Sequence, residues 1–186
     1  MNIKIQLNAR NDSLASFVFR TRAAFLLCAG CIFVSPVWGS ELSQTIEAIK
    51  PSIVGIGTYQ KTRSPTVNFM GTGFAVSDGL LVVTNAHVIP ETIDIENRES
   101  LIVITARDGK EPGFRTAVRV AHDKEHDIAL LKISGEPLPA MKLGDSSTAR
   151  EGQMLAFTGF PIGMVLGFHP VTHRGMLSSI TPIALP

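Results

Sequence analysis

The chain has 186 residues, 45% of them apolar, with 17 basic and 16 acidic side chains and a formal charge of +1. That length suits one domain or two small ones, and the apolar share is enough for a packed core. Near-balanced charge and an aromatic content of only 6% argue against a basic nucleic-acid surface or a base-stacking platform.

Residues 1–39 differ from the rest. Met1 to Arg22 holds Lys4, Arg10, Arg20 and Arg22 against Asp12 alone, and an apolar run, Ala23 to Gly39, follows. A basic stretch, a short apolar stretch and small residues at its end describe a secretory signal peptide. Val37 and Gly39 would precede a cut before Ser40. The alternative is a membrane anchor through residues 23–39, but the run is shorter than the roughly 20 apolar residues of a span, and Pro36 interrupts it. Cys28 and Cys31, the only cysteines, lie in this run. Their spacing lacks the βαβ context or partner cysteines of a redox or zinc site. Acylation of Cys31 is a further alternative, opposed by the apolar Ile32, Phe33 and Val34 that follow it. The domain proper is expected over residues 40–186, exported to the periplasm or beyond and free of disulfides.

Ser40 to Lys50 reads as a short helix with Leu42, Ile46 and Ile49 on one face, stopped by Pro51. Strands follow almost exclusively. Ser52 to Gln60 alternates, and Gly71 to Asn85 reads as a hairpin turning at Asp78-Gly79. Leu101 to Ala106 is a β-branched run, and Arg107 to Gly113 a turn cluster. Phe114 to Asp123, Asp127 to Ile133, Met154 to Phe160 and Val171 to Ile180 complete the set. Short strands, regular turns and no long amphipathic helix predict an all-β barrel or sandwich.

A lone histidine at a strand end, His87 in "VVTNAHVI", is usually structural. Asp127, forty residues later and directly before the apolar strand "IALLKI", changes that reading. In a hydrolytic triad a carboxylate holds an imidazole in one tautomer, and the imidazole takes a proton from serine. Other groupings are weaker. His122, Asp123, Glu125, His126 and Asp127 are dense in metal-ligand types, and on a strand His122 and His126 would share a face. The favoured reading is a polar turn with His126 exposed and Asp127 inward. His169 and His173 are separated by Pro170 and Val171, which oppose a helix and a zinc site. No metal or cofactor is expected.

The segments "GTGFAVSDGLLVVTNAHVI", "HDIALLKI", "KLGDSSTAREGQMLAFTGFPIG" and "THRGMLSSI" occur in an order that resembles the Deg/HtrA-type branch of the trypsin-like serine proteases, from about Pro51 to about Ile180. The resemblance implies a double β-barrel with the first barrel complete, from Ser52 to Ile133, and the second only begun from Leu143. It implies a serine endopeptidase acting on proteins or peptides, with His87 as general base and Asp127 as its orienting carboxylate. The family's nucleophile segment, Gly-Asn-Ser-Gly-Gly or Gly-Asp-Ser-Gly-Gly, has no counterpart in these residues. "GDSST" at Gly144 to Thr148 is a decoy, because Ser147 stands where glycine is required and Ser146 follows Asp127 by only 19 residues. The chain therefore reads as truncated before its serine and inactive alone. The alternatives are a non-catalytic binding protein with a protease-like barrel, or the remnant of a broken gene. Oligomeric state is not legible, the loop Pro90 to Ser100 is peculiar to this chain, and "GFPIGMVLGFHP" is more apolar than the family's turn.

Overall fold

The structure, a computed structural model, describes residues 41–106, 111–163 and 168–181. The signal peptide expected over residues 1–39, with both cysteines, lies outside the described residues, as do parts of the 107–113 turn and of the 159–170 segment. Helix α1, Glu41–Ile49, half-buries Leu42, Ile46 and Ile49, as their spacing predicts. Pro51 ends it in a single 3₁₀ turn, Lys50–Ser52. Proline has no N–H for a helix interior and is tolerated in a first turn.

Six strands then form a closed barrel in the order β1-β2-β3-β6-β5-β4, with β4 pairing back onto β1. They are β1 (Ile53–Tyr59), β2 (Val67–Val76), β3 (Leu81–Thr84), β4 (Ser100–Thr105), β5 (Gly113–Asp123) and β6 (Ile128–Ile133). All the pairings are antiparallel. Val54, Ile56, Val82, Val103 and Leu131 fill the interior, each fully buried. The β2–β3 hairpin turns where Asp78-Gly79 predicts. Gly79 takes φ +80°, and a Cβ there would run into the carbonyl oxygen of Leu138. Only glycine serves such a position without strain.

The run "LIVIT" of β4 does not alternate in polarity because both of its faces are covered. Leu101 and Val103 join the barrel interior. Ile102 and Ile104 face a second cluster outside the barrel, with Ile53, Phe160 and Phe168. Phe160 and Phe168 stack at 4.0 Å, and Phe69 meets both edge-on at 6.3 and 6.2 Å. This cluster joins the barrel to the rest of the domain. The amide of Met141 donates to the carbonyl of Ala75 at 2.8 Å, and the amide of Phe160 to the hydroxyl of Thr72 at 2.9 Å. Gly159 lets the chain come this close, since a Cβ there would lie 2.9 Å from Thr72 Oγ1.

Beyond the junction, β7 (Met154–Gly159) and β8 (Val171–Met176) form a two-stranded antiparallel ribbon. Among the described residues these strands pair only with each other. Met154, Leu155, Phe157 and Met176 are all exposed. The architecture is thus a closed six-stranded barrel and a small second sheet.

The loop from Pro90 to Ser100 is built rather than loose. Glu99 accepts hydrogen bonds from the buried Thr58 hydroxyl (2.6 Å), Arg63 (2.7 Å) and the Asp94 amide (3.1 Å). These donors hold the Glu99 carboxyl below its ordinary range, Thr58 most strongly.

Candidate active site

His87 sits in a 3₁₀ turn, Ala86–Val88, one residue after the end of β3. Asp127 ends the turn before β6. Because β3 and β6 are paired neighbours, with Thr84 opposite Ala129, the two ends lie side by side. Sequence separation is irrelevant once the barrel closes. Asp127 stands directly before the apolar strand, as read from sequence, with β6 beginning at Ile128 rather than at Asp127 itself, and its backbone lies in the left-handed region at φ +53°. That conformation is uncommon for a non-glycine residue, and aspartate and asparagine tolerate it best.

The carboxylate is gripped from several sides. Its Oδ2 lies 2.6 Å from His87 Nδ1, and its Oδ1 accepts the backbone N–H of His87 at 2.9 Å. Asn85 Nδ2 donates to Oδ2 at 3.1 Å and to the Asp127 carbonyl at 3.2 Å. That carbonyl also accepts the Ala86 amide at 3.1 Å. The His87 amide, then the His87 ring and Asn85, keep the Asp127 carboxyl below the ordinary carboxylate range. An ionised carboxylate is acceptor-only, so Nδ1 carries the proton and Nε2 is left with a free lone pair. The imidazole side chain is 72% exposed and the carboxylate 42%. This pair is open to an incoming group. Asn85 was not singled out from sequence; its position directly before the Ala86–Val88 turn is the signal that could have marked it.

The other polar candidates go elsewhere. His126 is not on a strand with His122. It lies in the turn and bonds Asp123 Oδ2 through Nδ1 at 2.7 Å, which lowers the Asp123 carboxyl. His122 is on β5 and lines a depression beside His87. His173, on β8, stacks on Phe157 at 5.4 Å. Among the described residues no three His, Cys, Asp or Glu side chains gather as metal ligands. Ser146 opens a 3₁₀ turn, Ser146–Thr148, whose cap is Asp145, accepting from the Ser147 amide at 2.9 Å. Among the described residues the His87 ring bonds only Asp127, so Ser146 is not brought to it.

Comparison with known proteins gives one consistent result. The description "Trypsin-like peptidase domain" matches residues 71–184. A probable periplasmic serine endoprotease DegP-like of Halomonas elongata is 34% identical over 111 residues, covering 60% of this chain and 20% of that protein. Serine protease HTRA1A of Danio rerio is 30% identical over 142 residues, covering 72% of this chain and 28% of that protein. The chain thus spans only a fifth to about a quarter of these relatives. Among solved structures, "HtrA-type protease AlgW with decapeptide" superposes with a TM-score of 0.57 at 24% identity, over 74% of this chain and 45% of that one, and shows the same fold.

Proposed function

The chain belongs to the trypsin-like peptidase domain family, and on that premise we propose that it carries two of the three catalytic side chains of an exported serine endopeptidase. His87 is the general base and Asp127 its orienting carboxylate. The observation that supports this most is the double hold of one carboxylate on one residue. Oδ1 takes the His87 amide and Oδ2 its ring. The first bond fixes where the ring hangs, and the second fixes its tautomer. Nε2 can then accept a serine proton, with Asp127 stabilising the resulting imidazolium, and return that proton to the leaving amine.

The nucleophile is not among the 186 residues. They contain no Gly-x-Ser-Gly segment, and Ser146 has neither the glycine after it nor contact with His87. Oxyanion stabilisation also needs inward-turned amides around the nucleophile. Substrates are proteins or peptides in the cell envelope, reached through export directed by residues 1–39. Among the described residues no helix is long and apolar enough to cross a membrane.

The test is labelling by a serine-directed phosphonate probe read by mass spectrometry. The 186-residue polypeptide is expected to remain unlabelled and to cleave no peptide. Labelling at Ser146 or any other serine overturns the assignment. In a longer polypeptide that adds a Gly-x-Ser-Gly segment, His87→Ala should lower kcat by roughly 10⁴- to 10⁶-fold. Unchanged turnover there would remove His87 from the mechanism.

A further inference from the structure

Beside His87 lies a depression of about 390 Å³, walled by Ile89, Glu91, Arg119, His122 and Lys124. Arg119 and His122 both come from β5 and stand three residues apart. On a regular strand they would point to opposite faces. The register of β5 against β6 shows why they do not. Arg119 pairs with Leu131, but Ala121 pairs with Leu130 and His122 with Ala129, so Val120 is an extra residue. Leu131 and Ala129 both face the core. The bulge at Val120 therefore reverses the alternation and turns His122 to the side that Arg119 already occupies. A bulge is a means of re-aiming a side chain at the rim of a barrel.

The formal charges lining this depression cancel, Arg119 and Lys124 against Glu91 and Asp127, but their hydrogen bonds are unevenly shared. Lys124 is paired with Glu91 at 2.8 Å, and Asp127 is committed to His87 and Asn85. The side chains of Arg119 and His122 make no hydrogen bond or ion pair among the described residues, although the charge of Arg119 adds to the effect of Lys124 in lowering the Glu91 carboxyl. One guanidinium and one imidazole are left facing the space beside the proposed base. A guanidinium is a fork of donors shaped for a carboxylate.

We infer that this depression is a subsite for a substrate carboxylate, which pairs with Arg119 and accepts a hydrogen bond from His122 while the peptide passes His87. The inference takes from the proposed function only that a peptide runs past His87. It adds a preference for acidic peptides, set by the bulge in β5.

Histidine carbethoxylation, read residue by residue by mass spectrometry, tests it on the full chain without any turnover. Three peptides are compared at millimolar concentration: Ac-Ala-Ala-Glu-Ala-Ala-NH₂, its Gln counterpart, and the Gln peptide with a free C-terminus. The Glu peptide should slow modification of His122 and His87 about 3- to 10-fold more than the blocked Gln peptide, the range expected for a partly exposed charge-assisted pair. His126, which lies outside the depression, should react at an unchanged rate and serves as the internal control. Arg119→Gln should abolish the preference and Arg119→Lys should retain part of it. Equal protection by the unblocked Gln peptide, lost in Arg119→Gln, supports the same subsite with a chain end as the source of the carboxylate. Equal protection by all three peptides, protection by none, or a preference that survives Arg119→Gln overturns the inference. Each of those results leaves the role of His87 to the phosphonate and kcat measurements.

Discussion

The barrel and the β7–β8 ribbon are written in similar sequence and reach opposite states. Val82, Val103 and Leu131 are fully buried, whereas Met154 is 64% and Phe157 63% exposed. Strand β7, "MLAFTG", has four apolar residues in six, close to the three in four of β3, "LVVT". What differs is closure. Each barrel strand has two partners and an interior to face, while each ribbon strand has one partner and no covered face among the described residues. A two-stranded ribbon is marginal by itself. This one is held by the Phe69, Phe160 and Phe168 cluster and by the Thr72 hydroxyl. Apolarity makes burial favourable, but topology decides whether there is anything to be buried against.

The largest effect should come from cutting the joint. Phe160→Ala should cost about 3–5 kcal/mol, as aromatic truncations in a core do, and the loss should appear in the ribbon. Amide exchange of residues 154–159 and 171–176 should accelerate while β1, β4 and β6 stay protected. Equal acceleration in the barrel would show that the two regions are one cooperative unit. Next comes Leu131→Ala, inside the barrel, at about 2–5 kcal/mol of global stability in denaturant titration. A cost under about 1 kcal/mol would mean that closure is not what stabilises the barrel. Phe157→Ser on the ribbon surface should change stability by no more than about 0.5 kcal/mol and should raise the soluble fraction on expression, because exposed apolar patches and open strand edges promote association. Unchanged solubility would argue that this face is harmless.

The smallest effect is on pH response and concerns the barrel alone. The Asp127 carboxyl is lowered, first by the His87 amide. A lowered folded value means that the clamp contributes in full above the ordinary aspartate value of about 3.9 and is lost only as pH falls through the lower folded one. The Asp127 side-chain carboxyl carbon should therefore keep the chemical shift of its ionised form from pH 7 down to about 4, as followed by NMR. Titration in step with an ordinary carboxylate would show that the grip is looser than its geometry.

Much of this molecule is legible in its sequence. Alternation and turn residues give the strands, Asp78-Gly79 gives the hairpin, and His87 with Asp127 gives the pair. What is not legible depends on contacts that no local pattern encodes. The hold of Glu99 on Thr58 spans 41 residues and that of Thr72 on Phe160 spans 88. Strand β2 begins four residues before the predicted hairpin because Val67 to Phe69 find partners on β1 past an irregularity at Ile56/Gly57. The bulge at Val120 is likewise invisible, since "FRTAVRVAHD" shows no break in its pattern. His126, read from sequence as an exposed turn residue, does lie in the turn after β5, while His122 is on the strand.

The left-handed backbone at Asp127 has a consequence for how this position could change. Its carbonyl is anchored by Ala86 and Asn85 independently of its carboxylate. Conformation admits Asp, Asn or Gly there, and charge admits Asp alone. Position 127 thus answers to two unrelated requirements. Asparagine, one nucleotide away in the genetic code, meets the first and fails the second. Such a substitution would leave the turn and the barrel standing while removing the anion held against the His87 ring and amide. On the function proposed above, a barrel of this design can exchange catalysis for pure recognition in a single step, without unfolding on the way.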